Sequence, residues 1–176
     1  MDNENGPEKI SLWGVLHDGE LRDLKTDAAK QTADLLIVVE YLNDFFAWPN
    51  GTGIEFHFDQ VTELRVSQWV SDPAKGSEDV RSRRWSRREW SALEGAIPPN
   101  ALKIMEASFS KKGTGGVLEI AGFEVDRRRP STDIWLEIVI QGAKLNLSTP
   151  EGPSDVDRLL QVGDAYWDNV GKKRKR

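Results

Sequence analysis

Two long segments of the chain alternate apolar and polar residues, and both lose the alternation partway along. GIEFHFDQVTELRVSQW, residues 53–69, sets Ile54, Phe56 and Phe58 against Glu55, His57 and Asp59, slips over Asp59–Thr62 and resumes through Leu64 and Val66. DIWLEIVIQGAKLNLST, residues 133–149, alternates through Ile134, Leu136, Ile138 and Ile140, and its tail IQGAKLNLS parallels FDQVTELRVS at 58–67. A period of two places one row on each face of a β-strand, so each segment predicts a long strand with one buried face. The slip in each predicts a bulge or sharp bend.

The surrounding sequence fits the same plan twice. A strand near 20–26, a second over TADLLIVVEYL (32–42) and the long strand to Trp69 make up one half, residues 20–69. ALKIMEASFS (101–110), the turn KKGTGG, VLEIAGFEV (117–125), the RRRPST loop and the strand at 133–149 make up the other, residues 101–149. The segment at 32–42 is apolar on both faces, as a central strand requires. This reading gives a β-rich α+β fold: two three-stranded antiparallel meanders, a candidate internal duplication, forming a sheet or open barrel. Residues 70–85 read as a polar connection without periodicity. A short mid-chain helix is expected from Ser86, which stands three residues before Glu89 in the capping-box spacing, and Gly95 with Pro98–Pro99 stops it. A C-terminal helix follows Pro153, with Ser154 and Asp157 as the capping pair. Its apolar stripe is Val156, Leu159, Leu160, Gly163, Trp167 and Val170. The expected organisation is a disordered leader over 1–9, one globular domain over 10–171 and a basic tail over 172–176.

Composition narrows the chemistry. The chain has no cysteine, which removes disulfides, thiolate metal sites and cysteine nucleophiles. No apolar run approaches the roughly 18 residues that span a bilayer, and the polar N-terminus is no signal peptide, so a cytoplasmic protein without a membrane partner is expected. The formal charge is −5, yet the last five residues, KKRKR, carry +5, leaving −10 on residues 1–171. An acidic body disfavours general polyanion binding, nucleic acid included, and leaves room for local contacts.

Three clusters are candidates for function. RSRRWSRREW, residues 81–90, combines arginine and tryptophan, the residue types of interface hot spots and of nucleic-acid stacking. Arg83, Arg84, Trp85 and Arg87 are its partner-binding candidates; alternatively, the tryptophans anchor the segment and the arginines pair with surface carboxylates. His17, Asp18 and Glu20 form a polar turn that could present an acid–base site or simply satisfy its own backbone. His57 and Asp59 project from one strand face, compatible with a metal or acid–base pair but equally with a solvated face. KKGTGGV at 111–117 lacks the GK[ST] ending of a phosphate loop and reads as a hairpin turn. No motif calls for a cofactor, a metal or a catalytic residue.

The opening LWGVLHDGEL, with FDQVTELRV ending the third strand, resembles a pattern in small uncharacterised bacterial proteins. More distantly, residues 12–67 are similar to toxin immunity proteins of the immunity-protein-50 type. The resemblance implies protein binding rather than catalysis and transfers no catalytic residue. The expected function is a non-catalytic intracellular interaction module, in the manner of an immunity-like inhibitor, with an unidentified protein partner. Its exposed sheet edges also allow a homodimer. Two alternatives stay open: nucleic-acid binding through the Arg/Trp segment and basic tail, and a small hydrolase or metal-dependent enzyme using His17, Asp18, His57 and Asp59. The last requires both histidine segments to meet in one pocket.

Overall fold

The computed structural model describes residues 8–72, 77–84, 102–124 and 133–174, with side chains for 8–69, 102–123 and 135–172. The first half holds β1 (Lys9–Ser11), α1 (Trp13–Leu16), β2 (Glu20–Asp27), β3 (Thr32–Val38), α2 (Glu40–Phe46), β4 (Ile54–Asp72) and β5 (Ser77–Arg84). The second holds β6 (Leu102–Lys112), β7 (Gly115–Glu124), β8 (Asp133–Thr149), β9 (Gly152–Ser154) and α3 (Val156–Arg174).

The expected meanders are present as β2–β3–β4 and β6–β7–β8, all antiparallel. They meet through like strands. β4 pairs with β8 from Glu55↔Ser148 to Ser71↔Asp133, and β2 pairs with β6 at Glu20↔Lys103 and Leu21↔Leu102. The ring β2–β3–β4–β8–β7–β6 thereby closes on itself. Closure removes the long unpaired edges that an open sheet of this size would expose.

The irregularity expected in β4 is present, whereas β8 pairs with β7 and β9 without a register shift. Gln60 has a φ of 52°, and a register shift separates Val61 from Glu63. Each irregularity reverses the inward phase, so Ile54, Phe56 and Phe58, then Val61, then Leu64 all reach the interior fully buried. Burying such a side chain stabilises the fold by roughly 1.5–3 kcal/mol, which outweighs the cost of one αL residue. Leu35 and Ile37 of β3, Leu102 and Ile104 of β6, and Ile138 and Ile140 of β8 complete the same core. One end is plugged by Leu12, Val15 and Leu16 around α1, by Leu42 of α2 and by Leu159 of α3.

Four expectations change. The strand expected to run to residue 42 ends at Val38, and Glu40–Phe46 is helical. Val39, Leu42, Asn43 and Phe46 fit helical spacing, and that period prevails once the chain leaves β3. Residues 77–84 form β5, paired with β4 from Ser77↔Asp72 to Arg84↔Arg65, where a structureless connection was expected. Backbone pairing against an already placed strand needs no apolar alternation. The cap of α3 is Asp155, whose Oδ1 accepts the Arg158 amide at 2.8 Å, rather than Ser154. Lys9, at the end of the expected leader, pairs with Ser110 in β1. The mid-chain helix expected after Ser86 and the RRRPST loop lie outside the described residues.

Candidate functional site

The plugged end of the barrel carries most of the unusual chemistry. β2 is entered through His17–Asp18–Gly19, which β6 holds rigidly: the Asp18 amide donates to the Ile104 carbonyl at 2.9 Å, and the Ile104 amide donates to the Gly19 carbonyl at 2.7 Å. Asp18 takes a φ of 61°, a conformation aspartate tolerates better than most residues. Its carboxylate receives Lys103 Nζ at 2.9 Å and lies 3.2 Å from His17 Nδ1. The hydrogen bond from Lys103, aided by the charges of His17 and Lys103 and opposed by burial, holds the Asp18 carboxyl below its ordinary range. Glu20 turns away from this pair to Arg22, at 2.9 Å. The polar turn therefore brings His17 and Asp18 together and adds Lys103, while Glu20 is not part of it.

Aromatic rings surround this turn. Trp13 of α1 lies 4.7 Å from the His17 ring and stacks on Trp167 of α3 at 5.8 Å, nearly parallel at 13°. The stack depends on close approach of the two helices: Gly14 and Gly163 face each other, and Trp167 Nε1 donates to the Gly14 carbonyl at 2.6 Å. A Cβ at position 163 would lie 2.7 Å from that same oxygen, so only glycine fits there. Tyr41 of α2 packs on Tyr166 at 4.5 Å and Trp167 at 5.9 Å, and Phe45 meets Tyr166 edge-on. Burial, with Tyr166 and Asp18 nearby, pushes the Tyr41 hydroxyl well above its ordinary pKa, and that hydroxyl has no hydrogen-bond partner among the described residues. Despite this packing the cluster stays open to solvent: Trp13 is 47% exposed, Phe45 38% and Trp167 37%.

The second histidine belongs to another surface. His57, on the outward face of β4, places Nδ1 2.5 Å from Asp34 Oδ1 of β3 and Nε2 3.2 Å from Asp59 Oδ1. The hydrogen bond to Asp34 raises the His57 pKa most; the charges of both carboxylates and the bond to Asp59 add to it, against a smaller effect of burial. Asn146 and Lys144 of β8 approach Asp59 from the other side, at 3.4 and 3.9 Å. His57, Asp34 and Asn146 form part of the wall of a surface cleft of about 780 Å³, which also includes Lys25, Glu55 and Ser148. With both ring nitrogens engaged by carboxylates, His57 offers no lone pair to a substrate or a metal. Among the described residues no group of three or more His, Asp or Glu side chains is arranged to hold a metal ion.

The two histidine segments do not meet. Glu20, next to the His17 turn, pairs with Val38 at one end of β3, whereas His57 pairs with Asp34 toward the other. Four residues of strand, roughly 13 Å, separate those positions. The convergence that the hydrolase reading demands is absent.

Of the Arg/Trp segment, Arg83 and Arg84 occupy the last two positions of β5, opposite Val66 and Arg65. Trp85 and Arg87 lie outside the described residues. The turn at KKGTGG is a tight β6–β7 hairpin with Gly113 at a φ of 63°. Sequence reasoning left Trp13, Tyr41, Phe45 and Lys103 unassigned and read Trp167 as core. The signal available for the first was LWGVL, a turn of helix whose tryptophan falls on the side away from Leu12, Val15 and Leu16.

No helix among the described residues is long and apolar enough to cross a membrane. Comparison of the chain with protein-family models, with curated proteins and with solved structures finds no match to any of them.

Proposed function

We propose that the protein is a non-catalytic protein-interaction module, of the immunity-like kind that its N-terminal resemblance implies, and that its contact surface is the aromatic end of the barrel. One observation carries the reading: Trp13, Phe45 and Trp167 remain more than a third exposed on helices whose inner residues pack into the core. Tryptophan and tyrosine grouped around a few fixed polar atoms are the composition of an interface centre. The Asp18–Lys103 pair supplies those polar atoms and is held in place by backbone bonds to β6. The closed sheet serves as a rigid frame for the surface, and the histidines provide no shared acid–base site.

Affinity capture from the native organism, with wild type and a Trp13→Ala/Trp167→Ala variant compared by mass spectrometry, tests the reading. A protein recovered with wild type and lost with the folded variant is the expected result. Undiminished recovery removes the aromatic end from consideration. Charge reversal at Arg83, Arg84 and Arg87 forms the parallel arm: loss of capture there, with circular dichroism unchanged, transfers the contact to the Arg/Trp segment. Recovery of nucleic acid that falls steeply with salt supports the polyanion alternative instead.

A further inference from the structure

We infer that a hollow beside the start of α3 binds an aliphatic monocarboxylic acid, its chain against an apolar floor and its carboxylate on Lys111. The hollow is separate from the aromatic end. Val156, which lines it, precedes Trp167 by eleven residues on α3, about 16 Å along the axis at a rise of 1.5 Å per residue.

β1, the β6–β7 hairpin, the tail of β8 and the first turn of α3 come together around a volume of about 340 Å³. That lies within the range of small-ligand sites, roughly 300–1,000 Å³. The strand register shapes the floor. Ile10 of β1 stands opposite Phe109 of β6 on one side, and Leu118 of β7 stands opposite it on the other. The next row outward is Lys111, Gly116 of β7 and Gly142 of β8, so it carries one long side chain and two hydrogens. Phe109 leans into the space over Gly116, where a Cβ would lie 2.5 Å from its ring. Leu145 and Leu147 of β8 and Val156 of α3 complete the floor. Ile10, Leu145 and Val156 are only half-buried, so apolar surface there still faces solvent.

The charges at the lip select the head group. Phe109 is buried and side chains alternate along a strand, so Lys111, two residues on, belongs to the same core-facing side of β6. It pairs with no carboxylate among the described residues. A single cation continuing an apolar floor matches a ligand with an aliphatic tail and one negative charge. Two carboxylates at the start of α3 border the same hollow. Asp155 is committed to the Arg158 amide at 2.8 Å. Asp157 follows Val156 and stands about 100° around the helix axis from it, off the floor. Together they oppose a doubly charged head, which selects a carboxylate over a phosphate monoester. The hairpin KKGTGG, which lacks the ending of a phosphate loop, contributes Lys111 to this lip.

Isothermal titration calorimetry of the full chain with straight-chain carboxylates from hexanoate to dodecanoate, each kept below micelle formation, tests the inference. A saturable one-to-one complex is expected, tightening about fourfold per added methylene until the floor is covered and levelling off beyond that. Decylamine and decyl phosphate should bind at least about tenfold more weakly than decanoate. Lys111→Glu, at an exposed position, should reverse the order of decanoate and decylamine, which a merely loosened hairpin would not do. In NMR the amide shifts caused by decanoate should centre on Ile10, Phe109, Leu145 and Leu147. Absence of a saturable complex at every chain length overturns the inference. An unaltered preference for decanoate in the Lys111→Glu variant does so too, as do shifts confined to Trp13 and Trp167. None of these outcomes bears on capture of a protein by the aromatic end, so the two readings fail separately.

Discussion

Both histidines of the chain sit beside aspartates, and the two settings differ in what the imidazole is left free to do. His57 lies in a row of outward side chains on three adjacent strands, and a carboxylate occupies each of its ring nitrogens. His17 touches one carboxylate, which Lys103 also holds, and its ring rests against an exposed tryptophan. The first is a cross-strand link between β3 and β4. The second belongs to a surface whose apolar part is unfinished. A histidine next to aspartate is therefore weak evidence for catalysis by itself; the occupancy of its nitrogens and the character of the neighbouring surface decide.

The largest expected effect falls on the aromatic end. Gly163→Val puts a side chain where the Gly14 carbonyl oxygen already lies within 2.7 Å of a Cβ, and the clashing atoms are backbone, which cannot swing aside. α3 must lift from α1, at a cost of about 2–3 kcal/mol. Thermal unfolding should fall accordingly, the near-ultraviolet signal of the stacked tryptophans should collapse, and the NMR titration of His57 should not move. Loss of the His57 behaviour as well would mean that the two regions are one cooperative unit and that the contrast between them is wrong. Trp13→Ala is milder. It removes a stacked pair and the ring contact to His17 from a half-exposed position, at about 1 kcal/mol. Chemical denaturation measures that loss, and an unchanged midpoint would show that the stack is a consequence of helix packing rather than a support for it.

Much of this architecture could be read from the residues, and the parts that could not have physical causes. Ile54, Phe56 and Phe58 announced β4, and the slip at Asp59–Thr62 announced its bulge, because phase reversal in a half-buried strand leaves a mark in the alternation. β5 left none: SEDVRSRR owes its strand to backbone bonds with β4, and those are invisible in side-chain pattern. α2 was concealed because VVEYL satisfies a two-residue and a 3.6-residue period at once. The candidate site was hidden for a different reason. Trp13, Tyr41, Lys103 and Trp167 come from four separate elements, and only the closure of β2 on β6, two residue pairs long, brings Lys103 to Asp18. Meanwhile the proximity of His57 and Asp59 was legible, but Asp34, the partner that matters most, required the β3–β4 register.

The smallest effect belongs to that last pair, and its sign can be worked out. The folded-state pKa of His57 is raised, chiefly by the Asp34 hydrogen bond. A raised value means that folding favours the protonated ring. The stabilisation is therefore complete below the unfolded value of about 6.5 and disappears as pH rises through the higher folded value. Its size is limited by solvent, because the His57 and Asp34 side chains are 40% and 52% exposed, and pairs of that kind contribute less than about 1 kcal/mol. Asp34→Asn should lower the His57 titration midpoint in NMR. It should also cost stability below pH 6.5 and little above the folded midpoint, where the wild-type ring has lost its charge. A deficit that instead grows with rising pH would mean that Asp34 acts through another cation. Lys25 of β2 is the neighbour to test, since its backbone pairs directly with that of Asp34.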